Sequence, residues 1–461
     1  MARPNLVVNN TASGPASGAG PGDGVTAGSK VTGTSAAHTG NVSSTTITLT
    51  DTPDLSNVLA DGSHAIWLDT GTGRRWSRID AVDDTLKTVT VENAFTIDNA
   101  SPIDYAIGGK IDDLLTGFVQ QGNGTNNLSG GWGLEIQYTG TDYDLGSTQM
   151  SMQTGGGQTN GYIKVYGSGG KPKIKISQTA NGGQMISLNN SSNFLWFENL
   201  HLEFTVGAGA AGFQKISGGD RADNNRWWDV KFVVIKDDTL SSGFFILDYT
   251  GNSPELPDIQ NCHFEFQAGL DSLESDDRAL QFDPSVGKPM LQVENCYFKN
   301  VGGYAIRVEA GDGAKIRNNI FDNCCSLDSS SQVIMLATDC TGAYVENNVI
   351  YGSANDGVYF SNNGSWAASV IRNNVIVNCA GYGINASDTT FLDKFRPEVF
   401  DYNLFNNNTS GDYNSARLPF GDNNIVSTDP QFTNPVTGNF KPRPGSPLYQ
   451  AGWPGKIGIL T

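Results

Sequence analysis

Three stretches decide the fold: KIRNNIFDNC (315–324), AYVENNVIYG (343–352) and SVIRNNVIVN (369–378). Each holds an apolar residue, a spacer and a pair of asparagines. Working outward, the same slot recurs along the chain. Asn199 follows Phe197, Asp229 follows Trp227, Asn261 follows Ile259 and Asn295 follows Val293. Asn318, Asn347 and Asn373 follow Ile316, Val345 and Ile371. A degenerate copy has Phe400, Tyr402 in the slot and Asn403 after it. The intervals are 30, 32, 34, 23, 29, 26 and 29 residues. Such spacing fits a coil with fixed strands and variable loops.

A second strand follows a Gly-rich corner in each unit. RALQFDP (278–284), YAIRVEA (304–310), QVIMLAT (332–338), GVYFSNN (357–363) and YGINASD (382–388) alternate at period two. No helical period lies between the strands, so the reading is a stack of parallel coils about 4.8 Å apart. Inward residues then sit over one another as columns. One Asn of each pair suits a left-handed corner. An amide ladder is expected at Asn295, Asn318, Asn347 and Asn373. Cys262 and Cys296 fall in matching positions, as do Cys324 and Cys379, and all six cysteines read as reduced packing residues.

Composition narrows the function. The 461 residues include 56 Gly and carry a net charge of −18. That charge repels phosphate backbones and anionic bilayers, so neither nucleic acid nor a membrane is an expected partner. No stretch approaches the roughly 20 apolar residues of a membrane span. The N-terminus lacks an apolar signal core, so synthesis in a host cytoplasm is expected. Cysteines and the four histidines lack metal-ligand spacing, so no metal and no cofactor is expected.

The chain divides into five parts. Residues 1–45 are a Gly/Ser/Ala-rich arm that cannot bury much apolar surface, and are read as pairing with a partner subunit. Residues 46–107 alternate as a small β module, with Trp67 and Trp76 as apolar anchors. Residues 108–127 carry an amphipathic helical pattern, read as a cap. Residues 128–425 are the parallel β-helix, and 426–461 a closing segment.

The I-x-N-N-x-[IF] units resemble the repeats of the right-handed parallel β-helix (pectate-lyase-like) superfamily. The tail is similar to the closing segment of such proteins, through Asp429, Pro430, Phe432, Gly438, Asn439, Phe440, Pro444, Gly445, Ser446, Pro447 and Gly452. The resemblance covers residues 128–461. It implies an all-β fold that hosts lyases, hydrolases, epimerases, phage spikes and structural proteins. The polygalacturonase-type motifs Asn-Thr-Asp, Gly-His-Gly and Arg-Ile-Lys are absent, as is the epimerase-type Asp-Pro-His-Glu.

Alternation places Gln281, Asp283, Arg307 and Glu309 on an outer face, with Asp283 over Glu309 and Gln281 over Arg307. Tyr359 and Asn385 continue a row. Two carboxylates one coil apart approach the ~5–5.5 Å of a retaining glycosidase, which makes Asp283, Glu309 and Arg307 the catalytic candidates. The competing reading is a solvated charged row. DSLESDDRALQFD (271–283) is read as an acidic surface loop. With the catalytic motifs missing, the expected function is a non-enzymatic bacteriophage virion protein. It would decorate a capsid or attach to a tail through residues 1–107, possessing glycan contacts at Gln281, Tyr359, Asn385 and Trp366. Self-association would fit such an appendage. The alternatives are a polysaccharide lyase or glycoside hydrolase, as in a depolymerising tailspike, and an inert adhesin-like scaffold.

Overall fold

A computed structural model describes residues 6–8, 21–22, 31–34, 42–49, 51–56, 58–60, 64–69, 74–97, 104–108, 110–111, 133–147, 150–152, 163–178, 186–188, 195–206, 216–218, 225–236, 245–251, 257–267, 277–284, 290–309, 312–326, 331–337, 340–361, 369–386, 400–414 and 421–449. They fall into two units. The first comprises residues 1–145, 150–175 and 191–201, and the second residues 146–149, 176–190 and 202–461.

In the first unit, six strands form an antiparallel sheet. Their order is Val31–Thr34, Asp104–Gly108, Ala65–Asp69, Arg74–Asp83, Thr88–Ile97 and Val42–Thr48. Ile47, Ile66, Ile79, Val89, Val91 and Ile107 supply its buried core. Trp67 stands opposite Trp76 in the register. The tight turn after Asp83 follows from its side chain, whose carboxylate accepts the Thr85 and Leu86 amides at 2.9 Å each.

Two sequence expectations change here. Described parts of the proposed arm pair with their own chain: Leu6–Val8 runs parallel to Gly133–Gln137 and Lys110–Ile111, and Val31–Thr34 is a strand of the module sheet. The backbone groups of an extended segment need partners, and strand edges of the same chain provide them. The module therefore starts before residue 46. Of the expected cap helix, Gly108 and Lys110–Ile111 are strand, and residues 112–127 lie outside the described residues.

The second unit is a parallel β-helix with three sheets. Sheet A contains Arg226–Trp228, Asp258–Gln260, Gln292–Glu294, Lys315–Arg317, Tyr344–Glu346, Val370–Arg372 and Phe400–Asp401. Sheet B contains Lys231–Lys236, His263–Gln267, Tyr297–Lys299, Ile320–Asp322, Val349–Ser353, Val375–Cys379 and Leu404–Asn406. Sheet C includes Phe245–Gly251, Arg278–Pro284, Ile306–Val308, Ile334–Leu336, Val358–Phe360, Tyr382–Ala386 and Gly411–Tyr413. The sequence reading counted two strands per coil. The third appears because the asparagine corner breaks one apolar run into separate strands of sheets A and B.

The slot residues are that corner. Asp229, Asn261, Asn295, Asn318, Asn347, Asn373 and Tyr402 all have φ between 54° and 59°. Short polar side chains tolerate this left-handed conformation best, which accounts for the prevalence of Asn. Inside, the residues before the corner stack as Trp227, Ile259, Val293, Ile316, Val345, Ile371 and Phe400. Those after it include Phe232, Phe264, Phe298 and Phe321, with successive ring centroids 4.8 Å apart and planes within 10° of parallel. Each ring contributes on the order of 2–3 kcal/mol through burial, so these columns hold the coils in register.

The amide ladder sits one residue later than expected. Asn319, Asn348, Asn374 and Asn403 are fully buried. The backbone N–H of Asn319 donates to Asn348 Oδ1 at 3.0 Å, Asn348 to Asn374, Asn374 to Asn403, and Asn403 to Asn424 at 2.9 Å. Their Nδ2 groups donate back to the carbonyls of Val293, Ile316, Val345 and Ile371. The first Asn of each pair turns the chain; the second satisfies the corner. Cys262 and Cys296 hold the ladder position in earlier coils, and Cys296 N–H donates to Asn319 Oδ1 at 2.9 Å. All six thiols are buried and unbridged.

The tail packs against the outward side of sheet B. There Ile320, Val349, Val375 and Leu404 form an apolar row. Phe432, Phe440 and Leu448 cover it, with Tyr297 and Tyr351 at its margin. Phe432–Asn434 and Asn439–Pro442 form a hairpin over this row. Its turn at Gly438 (φ 77°) comes so close to Tyr297 that a Cβ would lie 2.8 Å from the phenol oxygen.

Candidate functional site

Sheet C carries the expected row on its outward side. Adjacent coils place Gln281 beside Arg307, Arg307 beside Met335, Met335 beside Tyr359 and Tyr359 beside Asn385. Sequence reading joined the two ends and missed Met335 between them. Glu309 N–H donates to Phe282 O at 2.8 Å, so the pairing extends to the Asp283 and Glu309 row. Trp366 lies outside the described residues.

Several polar groups on this face are engaged with one another. Arg307 forms an ion pair with Glu309, and Arg278 donates to Gln281 Oε1. Both guanidinium groups lie over the Tyr304 ring, at 5.4 Å for Arg278 and 5.3 Å for Arg307. Burial raises the Tyr304 phenol pKa, and the two cations and a hydrogen bond with Ser331 act against it. At the other end, Asn385 Nδ2 donates to Asp356 Oδ2 at 2.9 Å, and Tyr382 N–H donates to Oδ1 at 2.6 Å. Asp356 is buried; desolvation raises its pKa, opposed by those two bonds. The face thus offers a guanidinium pair on an aromatic ring, a phenol and two amides. That set can hold hydroxyl and carboxylate groups.

Asp277 belongs to a different environment from the one expected of an acidic loop. It is fully buried and accepts two hydrogen bonds from Lys236 Nζ, at 2.9 and 3.0 Å. A buried charge requires such a partner. Asp271, Glu274 and Asp276 lie outside the described residues.

Two ionic arrangements escaped the sequence reading. On sheet A, Glu294, Arg317, Glu346, Arg372 and Asp401 occupy one outward row with alternating sign. Glu346 is gripped from both sides, by Arg317 at 2.9 Å and Arg372 at 2.6 Å. The signal was present as V-E-N, I-R-N, V-E-N, I-R-N and F-D-Y in consecutive coils. On sheet B, Glu265 is 12% exposed and meets His263 at 3.2 Å, Lys231 at 3.4 Å and Lys299 at 3.6 Å. The His263 hydrogen bond, with the nearby positive charges, lowers its pKa to about 2.

Among the described residues, no group of three or more His, Cys, Asp or Glu could hold a metal ion, and no helix is long and apolar enough to cross a membrane. A family model described as a right handed beta helix region matches residues 242–428, which include most coils of the second unit. No curated protein matches the chain. The fold is a right-handed parallel β-helix with a small antiparallel N-terminal sheet.

Proposed function

We propose that this chain is a non-enzymatic structural component of a bacteriophage particle, a β-helix appendage anchored by its N-terminal region and touching host glycans through sheet C. The observation that carries the non-enzymatic reading is the engagement of three outward carboxylates, one on each sheet. Glu309 is tied to Arg307, Glu346 to two arginines, and Glu265 to a histidine and two lysines. A two-carboxylate hydrolase needs one group to deliver a proton and another to meet the sugar. A lyase needs a base aimed at the substrate. Glu309, Glu346 and Glu265, each held by cations of its own face, serve the scaffold instead, which leaves Asp283 without a second free carboxylate beside it among the described residues.

The anchoring part is supported by the N-terminal sheet, which has its own apolar core. The formal charge of −18 favours solubility at the high local density of a particle surface. Glycan contact is supported by the row of Gln281, Arg307, Tyr359 and Asn385. Asp283 and Glu309 do stand in adjacent coils, which keeps the depolymerase as the second reading.

Two measurements test the proposal. Mass spectrometry of purified phage particles encoding the chain is expected to find it as a stoichiometric component; its absence refutes the particle role. Incubation with capsular and lipopolysaccharide glycans is expected to release neither reducing ends nor unsaturated uronates. Release that Glu309→Gln abolishes would assign the chain to the enzymes.

A further inference from the structure

The tail and sheet B form an open pocket of about 400 Å³. This falls within the ~300–1,000 Å³ range of small-molecule sites. Its polar lining comes from Tyr351, Asn378, Asn406, Asp429, Gln431 and Arg443. We propose that this pocket is a carbohydrate-binding site for one neutral hexose-type unit of a glycan. It lies apart from the sheet C row and does not depend on the particle assignment.

The ligand class follows from the lining. A sugar hydroxyl both donates and accepts, and so does an amide side chain. Three amides therefore match a ring of neighbouring hydroxyls better than they match an apolar molecule. Tyr351 adds a phenol, while buried Val377 and Phe432 give apolar contact for the C–H face of a sugar. Asp429 and Arg443 bring opposite charges to the same small space, so the pocket does not select a net anion. The acidic chain opposes polyanions further.

The pocket is also held in shape before any ligand arrives. Gln431 has φ 56° and Asn378 φ 61°. A left-handed glutamine is uncommon, and the surroundings must hold it there. Gln431 N–H donates to Asp429 Oδ1 at 2.8 Å, and Arg443 N–H donates to Gln431 O at 2.8 Å. Arg443 Nη2 donates to Thr433 O at 2.9 Å. Asn407 Nδ2 donates to Asn378 Oδ1 at 2.8 Å. These bonds reduce the ordering that binding would otherwise require.

Saturation-transfer difference NMR on the full chain tests this, using methyl glucoside, methyl galactoside and N-acetylglucosamine as probes, with glucuronate as the anionic control. Saturation of at least one neutral probe is expected, with a weaker response from glucuronate. The Asn406→Ala, Arg443→Ala double variant should lose about fivefold or more of the affinity, with an unchanged melting temperature. Asn406→Asp, nearly isosteric, provides the same test should the double variant fail to fold. Tyr359→Ala on sheet C should leave the signal intact. The proposal is overturned if no neutral probe responds, if glucuronate binds more tightly, or if the signal survives the pocket variants.

Discussion

Glu346 and Asn348 are two residues apart, and each belongs to a column running along the coils. The columns follow opposite rules. An amide can donate to and accept from a copy of itself, so Asn319, Asn348, Asn374 and Asn403 repeat unchanged. A carboxylate repels its copy, so Glu294, Arg317, Glu346, Arg372 and Asp401 must alternate. The amide column is buried and closes the corner, while the charged column has cations 28% and 31% exposed around a carboxylate at 7%. The same stacking geometry yields identity where the group is self-complementary and alternation where it is not.

The largest effect expected from breaking this contrast is at the buried column. Asn348→Leu removes the acceptor for Asn319 N–H and the donor to Ile316 O. Two unsatisfied buried groups should cost about 3–5 kcal/mol, read as a lowered urea midpoint. A loss below 1 kcal/mol would mean that the ladder is decorative.

Glu346→Ala should cost about 1–3 kcal/mol, because two guanidinium groups lose a largely buried partner. Glu346→Gln should recover part of it. Equal loss in both variants would show that charge, rather than hydrogen bonding, sustains the row.

Glu265 sharpens the comparison through pH. Its folded pKa lies below the usual value, so its stabilisation is present above about pH 4.5 and is lost as pH falls towards about 2. Glu265→Gln should therefore reduce stability at neutral pH by about 1–2 kcal/mol, discounted for the partly exposed cations. The two proteins should converge in acid. Thermal melts across that window check the sign, and a gap that widens in acid would reverse it.

The smallest effect is expected at the intervening corner. Asn347 sits at φ 57°, where glycine is at ease, so Asn347→Gly should change stability by only a few tenths of a kcal/mol. Asn347→Val should cost more, about 1–2 kcal/mol. Comparable urea midpoints for the two variants would argue that the left-handed corner is not the constraint.

Much of this was legible in the sequence, for a physical reason. Identical residues at matched positions announce a column, so the slot from Asp229 to Tyr402 gave the coil and its left-handed corner. The ladder lies one residue beyond the expected one because two adjacent asparagines look alike in sequence, and only backbone conformation and hydrogen bonding distinguish Asn347 from Asn348. The row through Gln281, Arg307, Tyr359 and Asn385 followed from period two; Met335 was hidden because its chemistry differs from that of its neighbours. The alternating charges of Glu294, Arg317, Glu346, Arg372 and Asp401 are hard to see in sequence because matched positions in successive coils carry opposite rather than identical groups. The pocket was illegible because it joins Asn378 and Asn406 to Gln431 and Arg443 through the packing of the tail, which no local pattern encodes.

The tail has a mechanical consequence. A solenoid unfolds most readily from its last coil, where each rung has only one neighbour. Here the terminal segment runs back across the rungs and touches residues from Tyr297 to Leu404. Peeling the final coil therefore requires the apolar grip of Phe432, Phe440 and Leu448 to be released first. Force transmitted through this segment loads that grip as a shear across several rungs rather than unzipping one rung at a time.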